Sequence, residues 1–487
     1  MNISRRRWIT TAALTGAGSV LGGKVVFGSE ESSLNAQCNA PCTESVQAPI
    51  QLFNSDLFNG ETLYAFGAAS SRTSEIGEML WIVNEAKKAA RFPKNPELIK
   101  KYAFDAYYTQ FGIYADNLEK LAVEAESRHS VTARQRYLRA AQYAAEQLFF
   151  VLGTSLPNAE EAIFMKTEMR WKKAVSLLDV PPIEFSVSSP FGTIPGYFFR
   201  PEDNSKSRPT LIISNGSDGQ HVDIMSQGLM DGLLRGYNVA LFEGPGQMSL
   251  LFVDQIPFTP DWDKVVQPVL NWVKAQPSVD KVALMGISFS GQLCARAAAN
   301  CIGLDAVVLN PGSWNTQEAW AGGSGRKKGY CDTMALFGLI QNSPDYEQPY
   351  IRMNINKAFT KDWKRMGPVE HYQIYKRGEV FTREVLREAR AGAPISDYYS
   401  LLKAMVPFVF DKDLERITIP TLVTHNEGEA FYPCQSEAAY SMLRSLPENK
   451  KRLVTFTAQQ GAQLHDQPLG PVVAGEIIFD WLDDYLR

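Results

Sequence analysis

The feature that most constrains the fold of this chain is a series of short apolar segments separated by stretches long enough to form helices. The segments lie between residues 210 and 457 and read TLIISN, NVALFE, KVALMG, DAVVLN, TLVTH and RLVTFT. Strands that are joined by helices run parallel, because the chain must cross over the sheet between them. The pattern therefore predicts an α/β domain with a mostly parallel, doubly wound sheet.

The rest of the chain divides around this series. Residues 75–178 carry apolar residues at three- and four-residue spacing, which predicts helices, and Pro181 and Pro182 end that pattern. We therefore predict a helical N-terminal domain over 37–180 and an α/β domain over 181–487. Between DAVVLN and TLVTH lies a long segment, 315–417, with a mostly helical pattern. We interpret this insertion as a lid over the ligand end of the sheet.

The first thirty-six residues predict an export signal and linker. Ser4-Arg5-Arg6-Arg7-Trp8-Ile9 resembles the twin-arginine consensus, and a short, weakly apolar stretch follows it. A periplasmic or extracellular enzyme without a stable membrane span after signal cleavage is therefore expected. A basic tail or an uncleaved signal anchor is the alternative, since Lys24 interrupts the apolar stretch.

The charge of the chain limits the kind of molecule that it can be expected to bind. The net charge of −4 provides no basic field for nucleic acid, so a small-molecule substrate is expected.

A bridge between the two cysteines of CNAPC, at 38 and 42, would need an oxidising compartment, and this pairing stays open. The other four cysteines are interpreted as packing residues: Cys294, Cys301, Cys331 and Cys434.

The most informative motif is GISFSG, which follows the strand KVALM and precedes a helix-like segment. A serine nucleophile at such a strand-to-helix turn needs small residues around it, because the turn is tight. Gly286 and Ser290 supply them, and Gly291 follows. Ser288 is therefore the predicted nucleophile, whereas Ser290 occupies a crowded position that disfavours attack.

A serine nucleophile needs a histidine base and an acid, which follow it in the order acid, then histidine, in this kind of fold. His465 lies in a loop after the last strand and is the predicted base, and Glu429 follows TLVTH and is the predicted acid. Glu427 is the alternative acid. The remaining histidines lie elsewhere in the pattern and are not expected to act as the base: His129, His221, His371 and His425.

The oxyanion of such a reaction needs two backbone N–H donors. The residue after the nucleophile, Phe289, is the first predicted donor. The turn after TLIISN supplies the second, with Ser217 preferred and Asp218 left open. No metal or organic cofactor is expected, because the sequence has no ligand cluster and no nucleotide-binding motif.

Several segments together resemble a known family. MLWIVNEAKKAA, ARQRYLRAAQYAA, PGYFFRP, RGYNVALFEGPGQ, DWDKVVQPVLNW, MGISFSG and GAQLHD are similar to α/β-hydrolases with an N-terminal helical domain. That family includes 2,6-dihydroxypseudooxynicotine hydrolase and the fungal heptaketide-shortening pigment hydrolases. Compared with the family pattern, this chain has Glu243 for Asp, Met248 for Gly, Ser290-Gly291 for Gly-Gly and Glu429 for Asp.

The resemblance implies an α/β-hydrolase fold and a hydrolase whose serine, acid and base are Ser288, Glu429 and His465. Its members cleave carbon–carbon bonds next to a ketone, and relatives cleave esters or transfer acyl groups. An aromatic or polyketide-like substrate is thus expected, and a homodimer would fit the family. Two alternatives stay open: an acyltransferase with the same three residues, and an inactive binding protein on the same fold.

Overall fold

The computed structural model describes residues 48–322 and 327–487. The predicted signal over residues 1–36, with its twin-arginine motif, lies outside the described residues, as do Cys38 and Cys42. In the part of the chain that is described, no helix combines the length and the apolar character needed to cross a membrane.

Helices occupy the N-terminal part and end before the first strand. Their bounds are α1 Asp56–Gly67, α2 Ile76–Ala89, α3 Lys101–Glu126, α4 Ser130–Phe150 and α5 Glu160–Ser176. The apolar spacing predicted α2 to α5 but not α1. Helix α1 buries residues on all its sides, including Asn59, Glu61 and Thr62. A helix surrounded by protein has no amphipathic stripe, so its sequence lacks the periodic signal.

Strands and helices then alternate. The strands are β1 Ile183–Ser189, β2 Gly192–Phe199, β3 Arg208–Ser214, β4 Asn238–Phe242, β5 Val279–Ile287, β6 Ala306–Asn310, β7 Thr421–Asn426 and β8 Lys451–Phe456. The helices among them, up to the insertion, are α6 His221–Ile224, α7 Met230–Leu234, α8 Met248–Phe252, α9 Asp263–Lys274 and α10 Ser290–Asn300. After the insertion come α18 Gln435–Met442 and α19 Pro471–Leu486.

All eight strands form one sheet in the order β1-β2-β4-β3-β5-β6-β7-β8. Strand β2 pairs antiparallel with β1 and β4, and the pairs from β4 through β8 are parallel. The prediction of a mostly parallel, doubly wound sheet is therefore confirmed. The carboxyl ends of β3, β5, β7 and β8 consequently lie at one edge of the sheet, which is where a doubly wound sheet binds its ligand.

The two faces of the sheet pack against different cores. On β4, Ala240 and Phe242 join a core with α9, α10 and the N-terminal helices, whereas Val239 and Leu241 join a core with α19. This alternation follows from the period of two in a strand. Both faces are buried, which is why these strands read as continuous apolar runs in the sequence.

The insertion between β6 and β7 is helical. It comprises α11 Thr316–Trp320, α12 Lys327–Asn342, α13 Gln348–Trp363, α14 Pro368–Gly378, α15 Arg383–Arg390, α16 Tyr398–Met405 and α17 Asp411–Leu414. Its aromatic side chains, such as Phe381 and Phe408, belong to the same core cluster as Phe289 beside the predicted nucleophile. The insertion therefore packs at the ligand end of the sheet.

The prediction that Cys434 is a packing residue is wrong, because this cysteine is disulfide-bonded. Cys294 and Cys301 are free thiols, the former buried and the latter partly exposed. Burial raises the pKa of Cys294 above its usual range and that of Cys301 to about 12, so both thiols stay protonated and unreactive. Cys331 has no described side chain.

Candidate active site

The turn between β5 and α10 holds Ser288 in a left-handed backbone conformation, with φ +53°. A side chain on either flanking glycine would collide with backbone. A Cβ on Gly286 would lie 2.1 Å from the carbonyl oxygen of Ser290, and a Cβ on Gly291 would lie 2.1 Å from that of Pro311. Such a strained, closely packed turn aims the serine hydroxyl out of the sheet edge.

Ser290 does not compete with Ser288 for the role of nucleophile. Its side chain is fully buried, accepts a hydrogen bond from the hydroxyl of Ser214 at 3.0 Å and donates one to the carbonyl oxygen of Asn215. Ser290 therefore ties the turn to the end of β3, and its hydroxyl has no access to a substrate.

Ser288, His465 and Glu429 form a continuous chain of contacts. The Oγ of Ser288 lies 2.8 Å from Nε2 of His465, and Nδ1 of His465 lies 2.9 Å from Oε2 of Glu429. The three residues come from the ends of three different strands, β5, β7 and β8, which the sheet brings to one edge. Both nitrogens of the imidazole are thus oriented, one toward the serine and one toward the carboxylate.

The carboxylate of Glu429 is buried and held by several donors. The side chain of Asn426 donates to it at 2.9 Å, and the backbone N–H groups of Phe431 and Tyr432 donate at 2.8 and 3.1 Å. Burial alone would raise the pKa of Glu429, but the charge of His465 and these hydrogen bonds lower it to about 2. The group is therefore ionised at neutral pH.

The alternative acid, Glu427, does not face the histidine. It is exposed, and its carboxylate accepts a hydrogen bond from the backbone N–H of Ala458 at 2.7 Å. Three of the four other histidines contact groups other than Ser288. His221 pairs with Glu168, His371 with the carbonyl oxygen of Trp363 and His425 with Glu437, and His129 precedes α4 on the surface.

The loop after β3 approaches the serine closely. A Cβ on Gly216 would lie 2.8 Å from the Cβ of Ser288, so a larger residue at this position would displace Ser288 or the loop. Ser217 follows and lines the cavity around Ser288. Phe289 begins the turn into α10. Both predicted oxyanion donors, Ser217 and Phe289, thus lie beside the serine, and Asp218 instead pairs with Arg377 at 2.6 Å.

Two adjoining cavities lie over this edge of the sheet. The catalytic cavity holds Ser288, His465 and Asp466 and encloses about 730 Å³, including space open to solvent. The apolar chamber is larger, about 1350 Å³ on the same measure, and Phe289, Trp320, Val380 and Phe381 line it. Four residues line both cavities and mark where they meet: Ser217, Arg377, Phe431 and Tyr432.

Sequence reasoning missed three residues of this region. Tyr64 of α1 donates a hydrogen bond to the carbonyl oxygen of His465 at 2.9 Å, and Arg377 of α14 lies over the ring of Phe431 with 4.8 Å to its centroid. Neither has a sequence signal, because each reaches the site through tertiary packing. The third, Asp466, is the neighbour of His465, and that adjacency could have identified it.

Among the described side chains, one group has potential metal ligands close together: Glu168, His221 and Glu243, whose ligand atoms lie within 4.8 Å of one another. Glu168 already contacts Nδ1 of His221 at 2.9 Å, and Trp171 stacks on the imidazole. These contacts are those of a buried ion pair. Glu243 accepts a hydrogen bond from the N–H of Ser249 at 2.8 Å.

Met248 replaces a glycine of the family pattern and keeps the left-handed backbone that glycine favours, with φ +41°. Its side chain is buried and is part of the same hydrophobic core as other side chains of α8. A methionine therefore occupies, in the loop after β4, a backbone conformation that glycine usually adopts.

Comparison with known proteins identifies the family. The chain is 30% identical over 466 residues to "Alpha/beta hydrolase psoB" of Aspergillus fumigatus, which covers 89% of this chain and 94% of that protein. It is 27% identical over 273 residues to "20-hydroxy-prefusarin hydrolase FUS2" of Gibberella moniliformis, covering 52% of this chain and 62% of that protein. No protein-family model matches.

A solved structure agrees in fold. The crystal structure of 2,6-dihydroxy-pseudo-oxynicotine hydrolase superimposes with a TM-score of 0.58 and 18% identity, covering 86% of this chain and 95% of that chain. The resemblance that the motifs indicated is therefore confirmed, together with the predicted fold class. With its sheet, its helical N-terminal region and this relationship over nearly the whole chain, the protein belongs to the α/β-hydrolase family and is a hydrolase.

Proposed function

We propose that this hydrolase acts through a covalent serine mechanism in which Ser288 is the nucleophile, His465 the base and Glu429 the acid. The observation that carries the proposal is the chain of contacts from Ser288 Oγ to His465 Nε2, at 2.8 Å, and from His465 Nδ1 to Glu429, at 2.9 Å. The strained φ of Ser288, +53°, supports it further, because strain of this kind concentrates at reactive groups.

In the first half of the reaction, Oγ of Ser288 attacks the substrate carbonyl carbon while its proton passes to Nε2 of His465. The carbonyl oxygen becomes an oxyanion, which the backbone N–H groups of Ser217 and Phe289 stabilise. Collapse of this intermediate breaks the bond to the leaving group, which takes the proton. Water then attacks the acyl-enzyme with His465 again as the base, and Ser288 is regenerated.

The substrate we propose is a small aromatic or polyketide-like molecule that is cleaved at an acyl, ester or ketone-adjacent carbon–carbon bond. The apolar chamber beside Ser288, lined by Phe289, Trp320 and Phe381, supports a substrate with a large apolar part. One relative carries the name 20-hydroxy-prefusarin hydrolase. For carbon–carbon cleavage, the departing carbanion must be delocalised, which requires a neighbouring carbonyl or aromatic ring.

Labelling with a fluorophosphonate, which reacts with activated serines, tests the mechanism. We expect the wild type to be labelled at Ser288, as mapped by mass spectrometry, and Ser288→Ala to remain unlabelled. Ser290→Ala is the matched control and should keep the label, since its hydroxyl only anchors the turn. Absence of label from folded wild-type protein would contradict the proposal.

We also propose that the protein is exported to the periplasm or beyond. The twin-arginine-like segment motivates this, and the disulfide at Cys434 supports it, because disulfides persist in oxidising compartments. Replacing Arg5 and Arg6 together by Lys should leave the precursor in the cytoplasm, as cell fractionation would reveal. Unchanged export of that variant would exclude the twin-arginine route.

A further inference from the structure

The residue after the predicted base, Asp466, presents a buried carboxyl to the catalytic cavity. Its backbone is left-handed, with φ +57°, and its side chain is 7% exposed. This conformation turns the side chain back toward the imidazole, so that Oδ2 of Asp466 lies 3.2 Å from Nε2 of His465. Asp466 lines the same cavity as Ser288.

Two carboxyl groups therefore lie against the two nitrogens of one imidazole. Glu429 contacts Nδ1, as a serine mechanism requires, whereas Asp466 contacts Nε2, the nitrogen that exchanges the proton with Ser288. Glu429 already orients the ring through Nδ1. The carboxyl of Asp466 lies beside the nitrogen that receives the proton of Ser288 in the proposed mechanism.

The surroundings of Asp466 raise its affinity for a proton, so that its carboxylate can accept one. Its other oxygen, Oδ1, is buried and has no hydrogen-bond partner. Burial raises the pKa of Asp466 to about 7, with Glu429 adding to the rise and His465 opposing it. The other ionisable side chains that line the cavity are Glu61, Tyr64, Glu146, Asp218, Asp223, Arg377 and Tyr432.

Of these, Arg377 is paired with Asp218, so its charge is largely compensated. Burial also raises the pKa of Glu146 and of Asp223, which reduces the negative charge that faces Asp466. Among the carboxyl groups that line the cavity, Asp466 is the one that lies against Nε2 of His465, at 3.2 Å.

We propose that Asp466 is a second acid–base residue of this site, which shares with His465 the proton that Ser288 gives up. In this step the O–H bond of Ser288 breaks as its Oγ bonds to the carbonyl carbon, and the proton passes to Nε2 and from there to Oδ2 of Asp466. When the bond to the leaving group breaks, the carboxyl returns the proton to the departing atom. The proton is conserved, and no other reactant is needed.

This inference rests on the proposed serine mechanism, and one experiment separates the two. The rate of fluorophosphonate labelling at Ser288 is measured against pH for the wild type, Asp466→Asn and Glu427→Gln. Asparagine keeps the shape of aspartate and tolerates a left-handed backbone. Glu427→Gln is the matched control, because it removes a carboxylate that is exposed and does not face His465.

We expect the acidic limb of the labelling profile to shift by about one pH unit to lower pH in Asp466→Asn, because His465 then loses its proton more readily. Below the wild-type midpoint the variant should label about tenfold faster, a gain that damage to the fold cannot produce. Glu427→Gln should follow the wild type.

An unshifted limb in Asp466→Asn, with normal labelling of the wild type, would overturn the role of Asp466 and leave the serine mechanism standing. No labelling of the wild type at any pH would overturn both. Asp466→Gly, which also suits φ +57°, provides a second variant should the asparagine variant fail to fold. Its limb is expected to shift in the same direction.

Discussion

The two cavities over the sheet edge differ in how they are built. The catalytic cavity takes its reactive groups from loops that follow strands, and each of these groups is held by backbone geometry or buried hydrogen bonds, as Ser288 and Glu429 illustrate. The apolar chamber takes half of its lining residues from the insertion, where side chains such as Trp320 and Phe381 define its walls. In the proposed mechanism, reactivity is therefore set by the geometry of the sheet edge, and substrate selection by the packing of side chains in the chamber.

The sharpest way to test this division is to remove the charge of Glu429. Glu429→Gln keeps the shape of the side chain but loses the ion pair with His465, and we expect activity to fall by about 10⁴-fold. Labelling kinetics of Ser288 measure the effect. Glu427→Gln should change the rate by less than about twofold, as expected for an exposed surface carboxylate. Equal losses in the two variants would place the acid elsewhere.

The next test adds a methyl group between the loop after β3 and Ser288. In Gly216→Ala, the new Cβ would meet the Cβ of Ser288 at 2.8 Å, so the nucleophile or the loop must move. A misplacement of the reacting groups by about 1 Å costs about 10²-fold in rate. Gly77→Ala is the control, since its Cβ would meet nothing within 4 Å. A folded Gly216→Ala protein with full labelling would contradict the close approach.

A change in the apolar chamber should act on binding and leave the chemistry intact. Phe381→Ala enlarges the chamber, and we expect KM for bulky aryl esters to rise about tenfold because buried apolar contact is lost. Labelling by a small fluorophosphonate should stay within about twofold of the wild type. Tyr346→Ala removes an aromatic side chain of the insertion that is 81% exposed and serves as the control. Loss of labelling in Phe381→Ala would contradict the division between the cavities.

The smallest expected effect concerns the contact between α1 and the loop that carries the base. Tyr64→Phe removes the hydrogen bond to the carbonyl oxygen of His465, 2.9 Å long, and leaves the ring in place. We expect a loss of stability of about 1 kcal/mol, together with a few-fold loss of labelling rate. Denaturant unfolding and labelling kinetics measure the two, with the exposed Tyr102→Phe as the control. An unchanged stability would indicate that water replaces the bond.

The sequence was most informative where structure follows from local pattern. The six strands β3 to β8 were predicted from short apolar runs, and Ser288 from the small residues around it, because a short strand and a tight turn are properties of a few adjacent residues. The placement of His465 and Glu429 near the serine followed from the order of strands in the fold. Their distances depend on the whole sheet and were not predictable.

What the sequence did not reveal depends on contacts between distant segments. Helix α1 is buried on all sides, so its sequence shows no periodic spacing of apolar residues. Arg377 reaches the cavity from a helix of the insertion whose sequence has no feature that marks it as part of the site. The disulfide at Cys434 was not predicted, because the pairing of cysteines cannot be deduced from their spacing alone. Asp466 was overlooked although it adjoins His465, since its carboxyl points toward the imidazole only through its left-handed backbone.

The fit of α1 against the loop that carries the base has a practical consequence for redesign. A Cβ on Gly67 would lie 1.6 Å from the carbonyl oxygen of Pro468, so helix and loop are in direct backbone contact there. A truncated enzyme that keeps the sheet, the serine and the histidine but starts after this helix would lose the side of the catalytic cavity that α1 lines. Exchanging catalytic domains between relatives therefore requires transferring α1 and this loop as one unit.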